Sequence, residues 1–332
     1  MSLICEQLKH HKFIASEQRN AYKFKKENIE DDELMVLMDF KENIKLGGGP
    51  IEIGNDFYCK KQCSVLGFAV VYKDQVTKQP CLEYIDFFSD ILSHDALFVS
   101  GCIKKILNKF LFNNSMGQSK IRKVHFWNDT GRHFQCAELA HFLLNFVPFE
   151  FNVQVTWNFF GEHHGKSILD GHFGLLSRLI KDIEKEQYLG SIQNLIGSLK
   201  GRINQINRQV TKIRASFFIY EREERNKYIY LLNIKNLCDY NFFESVFSDN
   251  KIRIRSKFRT NSEEYFENLK TTIKKVEDKR KTKRASTFTE VRVQKTSSGW
   301  DATNIFGGNI TRRYKRQSQF VNSVLNPSLD PR

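Results

Sequence analysis

Apolar residues along the chain fall into short blocks separated by polar turns, and their spacing alternates between that of strands and that of helices. Three strand-like blocks come first, and Gly47-Gly-Gly-Pro50 is a loop breaker between the first two. Helical and strand-like spacings then alternate up to about residue 208. The predicted strands cover 33–39, 63–72, 82–88, 123–129 and 151–159, and the predicted helical regions 94–112, 134–147 and 166–208.

The pattern also predicts a division of the chain into four parts. Residues 1–32 form a partly helical lead-in, and 33–212 form the main α/β domain. A small β-rich unit follows over 213–260, because two strand-like blocks flank the polar turn 223–227 as in a hairpin. Residues 261–332 are rich in Lys, Arg, Ser, Thr and Asn, which predicts a basic, largely disordered tail.

Length and composition narrow the class of protein. The 332 residues can hold one large domain, or one domain and a smaller one, and 40% hydrophobic residues suffice for a core. No run approaches the roughly 18 apolar residues of a membrane span, and the first residues lack a signal-peptide layout. Seven scattered cysteines then predict reduced thiols in the cytosol or nucleus.

Positive charge is concentrated near the C-terminus. The formal net charge is +14, and residues 251–332 hold 20 Lys or Arg against 8 Asp or Glu. Such asymmetry predicts a polyanionic partner, with DNA as the favoured one. The run Lys274–Arg284 is typical of a nuclear-import or nucleic-acid patch, so we expect a nuclear protein.

Three acidic residues stand where strands end or a helix begins. Asp39 and Asp129 each close a strand-like block, and Asp170 lies at the start of the helical region from 166. Carboxylates on two strands and a helix can hold two divalent metals, which is the equipment for cutting and joining phosphodiester bonds. Taken singly, an aspartate at such a position is more often a turn or capping residue.

Three segments around these acids resemble blocks of eukaryotic cut-and-paste transposases of the DDE/DDD type, in a Mutator-like or neighbouring superfamily. They are Met38–Ile44, Phe126–Phe134 and His164–Gly171. The resemblance covers roughly residues 10–260 and extends to domesticated descendants of these enzymes. It departs from the pattern at the N-terminus, where almost nothing precedes Asp39 to hold a DNA-reading domain.

The resemblance implies a fold and a metal site. The fold is ribonuclease-H-like, a mixed sheet flanked by helices, in which the first and fourth strands are neighbours. Two Mg²⁺ or Mn²⁺ ions are then expected, with Asp39 bridging both and Asp129 binding one. The third acid is either Asp170 or Glu162, and His164 and Lys166 are candidates to contact phosphate or the attacking water.

The implied function is a DNA strand-transferase or nuclease that acts as a homo-oligomer in the nucleus. A domesticated form would act at a genomic locus such as a mating-type locus. The alternative is a catalytically inactive, transposase-derived protein that binds DNA or regulates. Neither reading involves a membrane.

A cationic strand is the second candidate DNA contact. Lys251, Arg253, Arg255, Lys257 and Arg259 alternate with mostly apolar residues, so they share one face at about 6.6 Å spacing, close to the phosphate repeat of a DNA strand. A solvated edge strand with the same charges is the alternative.

Other motifs are weaker. Asp129-Thr-Gly has no second copy, as an aspartic protease requires, and Gly161–Ser167 is one residue short of a P-loop. Cys59 and Cys63 lack a downstream pair for zinc and are expected to be ordinary buried thiols.

Overall fold

The structure is a computed structural model that describes residues 3–51, 60–74, 76–112, 121–161, 167–209, 212–221, 226, 228–248, 251–260, 267–269, 271–278, 294–296 and 299–301. The chain divides into two compact units, Met1–Ala285 and Ser286–Arg332. In the second unit, β12 (Gln294–Thr296) pairs with β13 (Gly299–Asp301) in an antiparallel ladder. The fold and site described below belong to the first unit.

The first unit is of the mixed α/β class, with helices on both faces of a large sheet. Its α-helices are α1 (Leu3–Glu27), α2 (Ala96–Leu107), α3 (Ala137–His141), α4 (Val147–Phe151), α5 (Ile168–Glu184) and α6 (Ile192–Gln209). Its strands are β1 (Glu33–Lys45), β2 (Gln62–Lys73), β3 (Pro80–Ser89), β4 (Lys123–Asn128), β5 (Gln154–Phe159), β6 (Ala215–Ile219), β7 (Tyr228–Asn233), β8 (Phe242–Ser248), β9 (Lys251–Lys257), β10 (Glu267–Asn268) and β11 (Thr272–Glu277). Short π-helical turns, Asn108–Phe112 and Phe142–Phe146, follow α2 and α3.

The main sheet has the order β10-β9-β8-β5-β4-β1-β2-β3-β6 within the described ranges. Strands β1, β2 and β3 form an antiparallel meander, whereas β1, β4 and β5 run parallel. The expected pairing of the first and fourth strands is confirmed, because Glu33–Leu37 pair with Lys123–Trp127. β4 ends at Asn128, but β1 continues to Lys45 through its pairing with β2. Asp39 therefore lies within β1, six residues before its end, and the predicted end of this strand at residue 39 is wrong.

Two hydrophobic cores lie on opposite faces of this sheet. Successive side chains of a strand point to opposite faces, so Val36 and Met38 enter one core while Met35 and Leu37 enter the other. Helices α2, α3 and α4 cover the first face. Helices α1, α5 and α6 cover the second, which we call the α5 face. Burial on both faces explains why β1 reads as a continuous apolar run.

The strands predicted as a separate β unit do not form a sheet of their own. β6 pairs with β3 at one side of the main sheet, and β8 and β9 extend the other side from β5. The predicted hairpin is wrong, because β6 lies in the main sheet while β7 pairs with β11. Apolar contacts place these strands in the main sheet, because Phe217 packs on Phe88 and Phe243 packs on Trp157. These contacts join distant segments, so a local pattern does not reveal them.

Other boundaries also differ from the predicted ones. The helical region 166–208 is two helices, since Leu189 between them exchanges backbone hydrogen bonds with Gly47 and Gly48, both of 2.8 Å. Helix α1 packs on the sheet through Tyr22, whose ring is 5.5 Å from that of Trp127. Of the predicted tail, β10 and β11 belong to the first unit, whereas 279–293 and 302–332 lie outside the described residues.

Within the described part of the chain, no helix combines the length and the apolar character that crossing a bilayer requires.

Candidate active site

Asp39 and Asp129 lie just beyond the point where the pairing of β1 with β4 stops, Asp39 within β1 and Asp129 directly after β4. The register of these strands runs to Leu37 and Trp127, two residues before each aspartate. One oxygen of each carboxylate already has a local partner. The backbone N–H of Phe40 donates to Asp39 Oδ1 at 2.8 Å, and that of Gly131 donates to Asp129 Oδ1 at 3.0 Å. Asp129 is therefore a turn residue as well as a candidate ligand.

Asp170 lies in the first turn of α5, where it also caps the helix. The backbone N–H of Ser167 donates to Asp170 Oδ2 at 2.6 Å, and the Ser167 hydroxyl accepts from the N–H of Leu169 at 3.2 Å. This capping box explains why the helix begins here. The Asp170 side chain nevertheless remains exposed to solvent.

The three carboxylates share one electrostatic environment. The pKa of Asp39 is raised to about 7, first by burial and then by the negative charge of Asp129, with a smaller contribution from Asp170. The N–H of Phe40 opposes this rise. The structure thus brings Asp129 and Asp170 within electrostatic range of Asp39. The Asp129 side chain is 46% exposed, which leaves a route for an ion from solvent.

The other three residues of the predicted site are not among those that the structure describes. Glu162, His164 and Lys166 fall in 162–166, outside the described residues. Among the side chains that the structure does describe, no group of three His, Cys, Asp or Glu is arranged to hold a metal ion. The choice between Asp170 and Glu162 as third ligand therefore stays open.

A cavity of about 450 Å³ is lined by two histidines, His94 and His133, that sequence reasoning did not assign. His133 Nε2 lies 4.0 Å from Asp129 Oδ1, and the ring of His94 stacks on Phe40 at 4.0 Å. Burial lowers the pKa of both imidazoles, which favours their neutral form at pH 7. The only signal for His133 was its place in the second motif block.

The predicted DNA-binding cations lie on β9 and just beyond it. β9 is four strand spacings from β1, roughly 19 Å away. Arg253 is exposed, whereas Arg255 forms an ion pair with buried Glu244. Arg259 lies over the ring of Phe13 at 5.1 Å. The predicted alternation holds at Ile254, whose side chain is buried in the core on the face of the sheet away from α5.

Lys257 and Lys251 complete the predicted set of cations on this strand. Lys257 is half-buried, and the side chain of Lys251 lies outside the described part. β9 is not an edge strand, because the two-residue β10 pairs with it.

A further pair of polar residues was missed altogether. Asp86 on β3 and His172 on α5 are fully buried and bonded to each other, with 2.7 Å between Oδ2 and Nε2. A lone Asp in an apolar strand was the sole sequence signal. The prediction of ordinary buried thiols is confirmed for Cys63, which is buried and forms no disulfide within the described part of the chain. Cys59 lies outside the described residues.

A family model described as "Domain of unknown function (DUF8701)" matches residues 18–241, well over half of the chain. The chain belongs to this family. The DUF8701 match spans β1 to β7 and includes Asp39, Asp129 and Asp170. A search of curated proteins gave no match.

Two solved structures are similar to this DUF8701 chain at a distance. One is the MID-PIWI domains of QDE-2 AGO from N. crassa, at 10% identity over 54% of this chain and 52% of that one, with a TM-score of 0.24. The other is NurA bound to dAMP and manganese, at 8% identity over 71% and 50%, with a TM-score of 0.14. The chain thus spans about half the length of each. At such TM-scores, neither likeness carries an argument about this protein.

Proposed function

We propose that the chain is a metal-dependent DNA nuclease or strand-transferase of the transposase type, built on a ribonuclease-H-like sheet. It acts in the nucleus as a homo-oligomer, on element ends or at a genomic locus such as a mating-type locus. The strand order β3-β2-β1-β4-β5, with an antiparallel meander followed by parallel strands, supports the finer fold assignment. The basic charge of the chain supports DNA as the substrate.

The raised pKa of Asp39 is the observation that carries the proposal. The charges of Asp129 and Asp170 repel that of Asp39, and burial of Asp39 strengthens that repulsion. Asp39 lies within β1, Asp129 directly after β4 and Asp170 at the start of α5, so the fold sets their positions. A divalent cation would neutralise this charge, and the donor set of carboxylate oxygens is one that Mg²⁺ and Mn²⁺ prefer.

The residues have distinct parts in the proposed chemistry. Asp39 would contact both ions, Asp129 would hold one, and Asp170 or Glu162 the other. Bound ions of this kind activate a water or 3′-hydroxyl and stabilise the leaving oxygen. Neutral His133, 4.0 Å from Asp129, is placed to accept a proton near that carboxylate.

Calorimetric titration with Mn²⁺ tests the site directly. We expect the wild-type chain to bind Mn²⁺ and the Asp39→Asn/Asp129→Asn variant to lose binding, because the charge that attracts the ion is gone. The matched control, Asp31→Asn/Asp182→Asn, removes the same charge from two exposed acids and should bind as the wild type does. Equal binding by all three proteins would refute the proposed site.

A non-catalytic DNA-binding protein is the second candidate function. It is favoured by two facts about the described residues: they contain no three-ligand metal group, and Arg253 is an exposed cation in a basic strand. In this case DNA affinity would survive Asp39→Asn and depend on cations instead.

Arg253→Ala should then weaken DNA binding and reduce its salt dependence. Loss of one phosphate contact lowers the slope of log K against log salt by about 0.9. Arg255→Ala is the contrasting variant: it leaves buried Glu244 without this partner, so its main effect should be lower stability. Fluorescence anisotropy at several salt concentrations measures the slope, and binding that is indifferent to salt would contradict this function.

A further inference from the structure

Asp86 and His172 form a hydrogen-bonded pair that joins the meander to α5. The distance from His172 Nε2 to Asp86 Oδ2 is 2.7 Å, and both side chains are 0% exposed. The ring of Tyr84 stacks on His172 at 4.1 Å and within 2° of parallel. Neither residue can touch a substrate from such a position, so a role in function must act through other groups.

Burial of these two polar side chains costs desolvation free energy. Asp86 Oδ1 and His172 Nδ1 have no hydrogen-bond partner among the described residues. An apolar pair of similar volume would cost less desolvation free energy, so buried pairs of this kind are poor stabilisers compared with hydrophobic ones. What a hydrogen bond adds over apolar packing is a defined distance and direction between β3 and α5.

Asp86 also lies in the same row of the sheet as Asp39. Gly67 on β2 pairs with Asp39 on one side and with Asp86 on the other. Directly opposed residues of antiparallel strands share a face, so both acids are on the α5 face, about 10 Å apart at two strand spacings.

Gly67 lies between the two acids in this row, and it has to be a glycine for α5 to pack closely against the sheet. A Cβ atom on Gly67 would lie 2.4 Å from Phe173 Cε1 and 3.0 Å from Asp86 Oδ1. Phe173 therefore packs directly over the row, and His172 beside it bonds to Asp86. These consecutive residues fix α5 above the row at two points, and Asp170 comes two residues before His172.

We propose that the Asp86–His172 pair is a positioning device that sets the start of α5, and with it the carboxylate of Asp170, relative to Asp39. This inference rests on the proposed function of the acids. Without the pair, the apolar residues of α5 would still pack on the sheet, but the start of the helix would lose its fixed position. Metal affinity should then suffer more than folding.

The test compares Asp86→Ala with two controls. Asp86→Asn keeps an oxygen that accepts the hydrogen bond from His172. His125→Ala breaks a different buried pair on the α5 face, between His125 Nε2 and Glu33 Oε1 at 3.2 Å, which joins β4 to β1 without α5. We expect the Mn²⁺ concentration for half-maximal DNA nicking to rise about tenfold or more in Asp86→Ala, as for loss of groups that orient metal ligands. The two controls should stay within about twofold of the wild type.

Each outcome has a definite meaning. If Asp86→Ala and His125→Ala shift the metal requirement alike, the positioning role is overturned while the proposed function stands. If the wild type neither binds Mn²⁺ nor nicks DNA, the proposed function fails. The positioning of α5 is then decided by hydrogen exchange at the amides of 168–173. Faster exchange in Asp86→Ala than in His125→Ala supports it, and unchanged exchange overturns it.

A second variant tests the inference in case Asp86→Ala folds poorly. Asp86→Leu/His172→Phe replaces both partners by apolar groups, which restores burial without the hydrogen bond. It should show the same rise in Mn²⁺ requirement and the same faster exchange, and wild-type behaviour in both would overturn the inference.

Discussion

We expect Asp39→Asn to lower the proposed Mn²⁺-dependent nicking of DNA by about 10³-fold, which corresponds to about 4 kcal/mol of transition-state stabilisation. The amide is nearly isosteric with the carboxylate and keeps an oxygen for the N–H of Phe40, so this hydrogen bond within β1 is preserved. The charge that would bridge two ions is lost. The measurement is conversion of supercoiled plasmid to open circle at saturating Mn²⁺.

The control for this variant is Asp182→Asn, which removes an exposed acid paired with Lys185 on α5. We expect its nicking rate to equal that of the wild type. Nicking by Asp39→Asn within about tenfold of the wild-type rate would show that Asp39 does not hold the reactive metals. Loss of nicking in both variants would point to damage to the fold instead.

We expect the contribution of Asp39 to the unfolding free energy of the metal-free protein to fall as pH rises from about 4 to about 7. The pKa of Asp39 is about 7 in the folded chain, against about 3.9 in an unfolded one. In this window the folded state holds a proton that the unfolded state has already released, so raising the pH favours unfolding. Above pH 7 both states have lost the proton, and the effect levels off.

Asp39→Asn isolates this contribution because asparagine does not titrate. The variant should gain stability over the wild type by about 4 kcal/mol at pH 8, and by much less at pH 4.5. Urea unfolding at the two pH values, with a chelator present, measures the difference. Buried His125, whose pKa is lowered to about 4 chiefly by burial, titrates in both proteins and cancels. A stability difference that does not change with pH would contradict the raised pKa.

The transposase resemblance and the DUF8701 family match address different questions. The family match groups the chain with others of the same domain over 18–241 and says nothing of an activity. The resemblance concerns three short blocks, two of which carry Asp39, within β1, and Asp129, directly after the neighbouring strand β4. The proposed chemistry therefore depends on the site itself, and the experiments above are directed at it.

Local periodicity was sufficient for the strands and helices of the main sheet. Alternation and burial along β2 and β4 are encoded in their own residues, so these strands were predicted to within one residue of their observed bounds. β1 runs six residues beyond its predicted end at Asp39. Asp39 and Asp129 could be singled out because each follows the apolar run of its strand, although β1 itself continues to Lys45. The capping box at Ser167 and Asp170 was likewise local, although its residues had been read as a motif rather than as a cap.

Other features depended on which distant segments meet. The sequence by itself determined most strands and helices of the main sheet and the acids that follow the apolar runs of β1 and β4, because these follow from neighbours along the chain. Only the tertiary structure decided that β6, β8 and β9 extend one sheet, that Arg255 is bound to Glu244, and that Asp86 meets His172. Those pairings join residues on different elements, and the free energy that selects them comes from burial and hydrogen bonds that form only when the chain has folded.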